Sequence, residues 1–300
     1  MHSAPSTRAV LALLFNAFIW GVSWLPLQTL REYGVHPLWA TSIVYGCAVA
    51  ALLMLRPRAL GDLFAHPNLL WLGAAAGLTN IGFNWAVAIG DVLRVALLFY
   101  LMPAWSVLVA WALLGERPTR GSLLRLALAL AGVALVLREP GTPWPVPRSL
   151  ADLLAVGAGA CFALTNALLR RWRDTPSDGR ALAMFGGGAI MSGAVAVVGH
   201  WGGWVSALPA PNAAWLLWAG VLCLAFLAGN LALQYGAARM TAQATALLMM
   251  SELLFATGSA VPLGAAQLTA QTLAGGSLIV LAALLAVRDS VRRQPPELPD

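Results

Sequence analysis

Runs of about 20 apolar residues, each the length that crosses roughly 30 Å of hydrocarbon, recur along the chain with short polar breaks between them. Ten such runs are predicted as membrane helices: 9–30, 37–55, 69–89, 93–114, 121–137, 150–172, 181–199, 213–235, 241–261 and 270–287. The longest break, Arg138 to Ser149, is too short for a separate soluble domain. The first run is already of full span length and shows no small-residue cleavage site, so a cleaved signal peptide is not expected. The predicted fold is an all-α membrane protein whose activity lies within the bilayer.

Composition agrees: 60% of residues are hydrophobic and 10% charged, against about 25% charged in an ordinary soluble domain. Mean hydropathy is +0.77. The net charge of +6 does not point to nucleic acid, because all 18 basic residues are Arg and most sit beside span ends. With both termini in the cytoplasm, 14 of them fall inside and 4 (Arg31, Arg94, Arg138, Arg148) outside. That asymmetry follows the positive-inside rule and predicts a multi-pass protein of a bacterial inner (cytoplasmic) membrane. Cys47, Cys161 and Cys223 all lie inside spans and are odd in number, so they read as packing residues rather than a disulfide framework.

The chain divides at the Pro-rich break near Pro140 to Arg148 into residues 1–148 and 149–300, and the halves echo each other. GFNWAVAIGD from Gly82 aligns with AGNLALQYGA from Ala228, pairing Asn84 with Asn230 and Gly90 with Gly236. VALLFYLMP from Val95 aligns with TALLMMSEL from Thr245, pairing Met102 with Glu252. Five spans per half is an odd number, so equivalent helices enter the membrane from opposite sides. Two inverted five-helix repeats are the architecture of many secondary transporters, with a midplane site exposed alternately to the two sides.

The span YLMPAWSVLVAWALLGERPT (Tyr100 to Thr119) resembles the fourth-helix signature of EamA-type carriers in the drug/metabolite transporter superfamily, with Pro103 in the helix and Gly115-Glu116 at its end. FIWGVSWLP (Phe18 to Pro26) resembles the first helix of that family. The Trp-rich first helix and the length are most similar to YddG-type exporters of aromatic amino acids. The second half departs from the pattern: PLGAAQLT sets Ala266 opposite Glu116. That difference reads Glu116 as a cytoplasmic structural or gating residue rather than one of two symmetric transport carboxylates.

Glu252 stands inside an otherwise uncharged run. A charge at a helix centre costs on the order of 2.5–3.5 kcal/mol, and each Leu, Val or Phe returns roughly 0.3–0.6. It should therefore face a cavity or a partner. Thr241, Thr245, Glu252, Ala256 and Ser259 share one helical face, with Leu247, Leu254 and Val261 off it. Such a stripe suits a transport path; a carboxyl bonded to a neighbouring helix for assembly is the other reading.

Further candidates follow the same logic. Trp20 and Trp24 lie well inside the first span, near Asn16 and Ser23, whereas Trp39, Trp71, Trp144, Trp172, Trp201 and Trp215 sit near span ends as interface anchors. Asn80 and Asn84 share a face of the third span with Gly73 and Gly77, and Asn230 and Gln234 are their counterparts; such amides serve either a polar ligand or helix contact. Phe162, Thr165 and Asn166 correspond to Trp20, Ser23 and Trp24, which argues for a shared cavity wall. Tyr100 lies roughly opposite Met102, leaving its orientation open. Pro26 and Pro103 invite kinks, MFGGGAIMSG (184–193) makes a thin seventh helix, and Arg125 lies within reach of the surface and of Glu116.

The expected function is a carrier that exports small amphipathic metabolites, amino acids including aromatic ones, by alternating access. Trp20, Trp24, Tyr100 and Phe162 would meet an apolar side chain; Asn80, Asn84, Thr165, Asn166 and Asn230 would replace water around a zwitterion. Glu252 would pair with an ammonium, exchange a proton, or both. A small-molecule substrate and the bilayer are the expected partners; no cofactor or metal is expected, and the oligomeric state is open. The alternatives are a carrier of another metabolite or a cationic drug, and an intramembrane lipid-acting enzyme. Against the enzyme, the four histidines are scattered and no phosphate-cradling loop or nucleophile elbow occurs.

Overall fold

The computed structural model describes residues 7–115, 120–138, 147–172, 174–237 and 251–292. Glu116, most of the Pro-rich break (139–146) and residues 241–250 of the expected ninth span lie outside the described residues, as do the side chains of Arg125 and Gln234. Every described element is a helix: α1 (Thr7–Val22), α2 (Trp24–Glu32), α3 (Pro37–Leu55), α4 (Arg58–Ala65), α5 (Leu69–Ile89), α6 (Val92–Phe99), α7 (Met102–Leu114), α8 (Arg120–Leu137), α9 (Leu150–Arg171), α10 (Ser177–Trp201), α11 (Ala213–Ala237), α12 (Ser251–Ala260) and α13 (Ala270–Arg292).

Among the described residues, six segments are long and apolar enough to cross a membrane: Thr7–Glu32, Pro37–Leu55, Leu69–Ile89, Leu150–Leu169, Ser177–Trp201 and Ala213–Leu233. This is fewer than the ten predicted runs: the fourth is broken between α6 and α7, and much of the ninth lies outside the described residues. The first run turns at Ser23, three residues before Pro26, which has no N–H for the Val22 carbonyl. The fourth is split into α6 and α7 at Tyr100–Leu101, where Pro103 likewise leaves the Phe99 carbonyl without its helical donor. A short helix, α4, also occupies a connection the hydropathy pattern leaves polar.

Local chemistry sets several helix starts. Ser149 caps α9 by accepting the Asp152 N–H at 3.0 Å, and Asp91 caps α6 by accepting the Arg94 N–H at 2.7 Å. Gln28 and Arg31 of α2 donate to Val87 O and Ala88 O at 2.9 and 3.2 Å, satisfying carbonyls in the last turn of α5. Trp215 is not the interface anchor its span-end position suggests: it is 3% exposed, with Nε1 donating to Ala210 O at 3.1 Å.

His36 caps α3 ahead of Pro37, its ring Nδ1 accepting the Leu38 N–H at 3.3 Å. Burial, with Arg31 nearby, holds its pKa below the usual 6.5. A lowered folded-state pKa means that the unfolded chain binds the extra proton first, so this contribution is complete above pH 6.5 and falls away in more acidic solution. Wild-type protein in detergent should melt at a lower temperature at pH 5.5 than at pH 7.5, and His36→Ala should shrink the difference while costing about 1 kcal/mol at the higher pH. An unchanged pH difference in the variant would refute the assignment.

The helices pack in a recurrent pattern. α1 lies against α11 and α12, and α9 lies against α5, α6 and α7. α3 lies against α10, α8 against α13, α5 against α10, and α3 against α11. The α5–α10 seam is backbone against backbone: a Cβ on Gly73 would stand 2.7 Å from Ala183 O, one on Gly77 would stand 2.7 Å from Gly187 O, and one on Gly187 would overlap the Gly73 carbonyl. Glycine is required there by space alone.

Candidate functional site

The kink between α1 and α2 faces α12. Gly21 permits this approach, since a Cβ there would lie 2.7 Å from Glu252 O and 2.6 Å from Phe255 Cβ. At the kink a small internal cavity is lined by Trp20, Gly21, Ser23 and Trp24, by Phe83 and Val87 of α5, by Val92 and Ala96 of α6, and by Glu252 and Ala256 of α12. As it stands it has room for about one water. Glu252 is half-buried, Ala256 is buried and Leu254 is 74% exposed, so the predicted division of this helix into a polar and an apolar face holds where it is described.

The Glu252 carboxyl and the Tyr100 phenol are hydrogen-bonding neighbours. Tyr100 is buried at the break between α6 and α7. The break turns the phenol to the residue from which the internal alignment, read on a continuous helix, left it detached. Trp24 is 3% exposed and donates from Nε1 to Ser259 Oγ at 2.9 Å; Ser259 in turn donates to Phe255 O at 2.8 Å. The indole is thereby fixed across the α2–α12 contact, with its ring at the cavity.

Aromatic rings continue outward from the cavity. Trp20 stacks on Phe226 at 4.7 Å and meets Phe83 edge-on at 6.3 Å. Phe83 contacts Phe99 at 4.8 Å, and Phe99 contacts Phe162 at 5.4 Å. Trp20 and Phe162, which the internal alignment pairs, are thus joined through Phe83 and Phe99 rather than sharing one wall. Aromatic pairs contribute roughly 0.5–1.5 kcal/mol beyond their burial.

The amides are placed differently. Asn80 Oδ1 accepts from the Tyr45 hydroxyl at 2.7 Å, and Asn84 donates to Thr41 Oγ1 at 3.3 Å. Asn84 is 1% exposed, and its Oδ1 has no partner among the described residues. Both amides therefore tie α5 to α3, away from the residues that line the cavity. Thr165 is buried and donates to Cys161 O at 2.9 Å within its own helix. Asn166 is exposed, and its Nδ2 reaches Met102 Sδ at 3.9 Å. Asn230 lies half-buried on α11.

The structure brings Trp20, Trp24 and Glu252 together with Tyr100 bonded to the carboxyl; Phe162 is joined to them through Phe83 and Phe99, and Asn80, Asn84, Thr165, Asn166 and Asn230 are not among the residues lining the cavity. Phe83, Phe99 and Phe226, which complete the aromatic line, were not singled out from the sequence. Neighbouring glycines and amides separate Phe83 and Phe226 from lipid-facing Phe, whereas nothing on α6 marks Phe99.

A bundle of membrane-length helices folded around a small aromatic cavity with one carboxyl is a multi-pass helical membrane protein with an internal polar site. Residues 7–138 match the EamA-like transporter family. A solved crystal structure shares the fold, covering 96% of this chain and 100% of its own at 20% identity and a TM-score of 0.59. No curated protein matches the chain.

Proposed function

We propose that the protein is a secondary carrier that exports small amphipathic metabolites, amino acids including aromatic ones, from a bacterial cytoplasm by alternating access. In this reading residues 1–148 and 149–300 are two inverted five-helix repeats, with both termini cytoplasmic. The packing supports it: numbering the ten predicted spans in order, the contacts of span 1 with spans 8 and 9 are matched by those of span 6 with spans 3 and 4. The Trp-rich first helix, similar to that of YddG-type exporters, favours an aromatic cargo. The observation that carries the reading is the meeting of Glu252 with Trp20 and Trp24 at one small cavity, with Tyr100 hydrogen-bonded to the carboxyl. An ammonium is matched by the carboxyl, a flat apolar body by the indoles, and a proton by the same carboxyl when cargo leaves.

One observation favours the narrower, cationic cargo. Glu252 is the one ionisable side chain among the described residues that line the cavity. The chain has no Lys, and its Arg residues lie near span ends. A cargo ammonium finds a counter-charge at the centre, and a cargo carboxylate finds none.

Purified protein in liposomes, offered labelled phenylalanine, tryptophan, phenethylamine and benzyltrimethylammonium, tests both readings. Saturable uptake accelerated by cargo on the far side is expected, and linear, unsaturable flux or covalent product would reject a carrier. Trp20→Ala should raise KM about tenfold with kcat little changed, and Trp20→Phe should recover most of the loss. Equal KM values in wild type and Trp20→Ala would take Trp20 out of the binding surface.

A further inference from the structure

The start of α6 is tied at three points. Asp91, besides capping the helix, accepts the Gln267 N–H through Oδ2 at 2.9 Å. The Val92 N–H donates to Ala265 O, in the same segment ahead of α13, at 3.3 Å. Arg94 reaches across to α9, where Nε meets Asp152 Oδ1 at 2.8 Å and a terminal nitrogen meets Oδ2 at 2.9 Å. This two-pronged geometry is the strong form of the pair. The Asp152 side chain is 3% exposed, against 25% for Arg94, and its Oδ2 also faces the Arg148 N–H at 3.4 Å.

The far end of α6 carries no ion pair among the described residues, and there the chain breaks at Tyr100–Leu101, where Pro103 withholds a donor. Between the ties and the break, Val92 and Ala96 form part of the cavity wall. We propose that Arg94 and Asp152, with Asp91, are a latch that holds α6 closed as a door over one end of the cavity, and that α6 swings about the Tyr100–Leu101 break when the latch opens. The proposal rests on the carrier reading, which needs a cavity that opens at one end at a time. Opening returns both ions to water, and their recovered hydration offsets most of the lost attraction, so the pair biases the equilibrium without freezing it. The internal alignment sets Ala244 against Arg94 and Val10 against Asp152, so the symmetry-related position carries no matching pair. The latch makes the state closed at α6 the resting one.

The test reads access to the cavity directly. In a background with Cys47, Cys161 and Cys223 replaced by Ala, Ala96→Cys is labelled in detergent with a charged maleimide, and folding is followed by melting and elution. Asp152→Asn and Arg94→Gln should each speed labelling about tenfold, and the exchange of Arg94→Asp with Asp152→Arg should bring it back to within about threefold of the parent. Unchanged labelling in folded Asp152→Asn protein, or an exchange that restores nothing, overturns the latch. Should Asp152→Asn fail to fold, Asp91→Asn, which loosens the Gln267 tie, carries the same expectation and the same refutation. The expected labelling pattern in a protein that moves no cargo would uphold the latch and reject the carrier; saturable transport with labelling indifferent to these variants would do the reverse.

Discussion

Gly187→Val leaves little folded, monodisperse protein in detergent, whereas Gly186→Val, one residue away, folds and melts close to wild type. A Cβ at Gly187 would overlap the Gly73 carbonyl, and Gly73 and Gly77 in turn lie against Ala183 O and Gly187 O. The obstructing atoms are backbone in the middle of two long helices, so no rotamer change relieves the clash. Separating the helices would loosen every contact along the seam, at a cost of several kcal/mol, beyond the 1–3 of ordinary overpacking. A Cβ at Gly186 meets nothing within 4 Å, so the same valine costs only its helix propensity. Size-exclusion profiles and thermal melts of the two variants provide the check. Equal behaviour would mean that α5 and α10 are not in backbone contact.

Glu252→Gln lowers kcat/KM for an ammonium-bearing cargo by about 100-fold, the roughly 3 kcal/mol expected when one partner of a desolvated charge pair is removed. The amide keeps the shape and the hydrogen-bonding reach to Tyr100, so folding is preserved and the loss is of charge. Tyr100→Phe costs about tenfold, because the phenol acts by holding the carboxyl. The double variant should be no worse than Glu252→Gln alone, since the phenol then has no charge to orient. Initial uptake rates in liposomes at matched protein density measure all three. Wild-type rates in Glu252→Gln would remove Glu252 from the mechanism, and additive losses would separate Tyr100 from it.

The apolar runs were legible because membrane burial is written in composition: the predicted limits of the second and third helices, 37–55 and 69–89, coincide with α3 and α5. Pro26 and Pro103 marked both breaks, because a missing N–H acts locally whatever surrounds it. That Glu252 should face a cavity or a partner was legible from cost alone; that the inner tryptophans stand there was not. Tyr100 was a candidate whose orientation stayed open, since on a continuous helix it lies opposite Met102 and the register says nothing of its bond to Glu252. Asn80 and Asn84 looked like cargo ligands because an amide in a span needs partners; Tyr45 and Thr41 supply them, and no periodicity on α5 reveals what α3 presents. The Arg94–Asp152 pair was hidden for a related reason: its members sit at the ends of separate spans, where charges are expected anyway.

The glycine seam limits how this molecule is able to change shape. α5 belongs to the first half of the chain and α10 to the second, yet their main chains touch with no side chain between them to reorient. A wholesale seesaw of one half over the other would pry this spine open. Motion is therefore cheapest in the segments that already lack a helical bond, at Ser23 and at Tyr100–Leu101, with the paired spine as the stator and the bent helices as the moving parts.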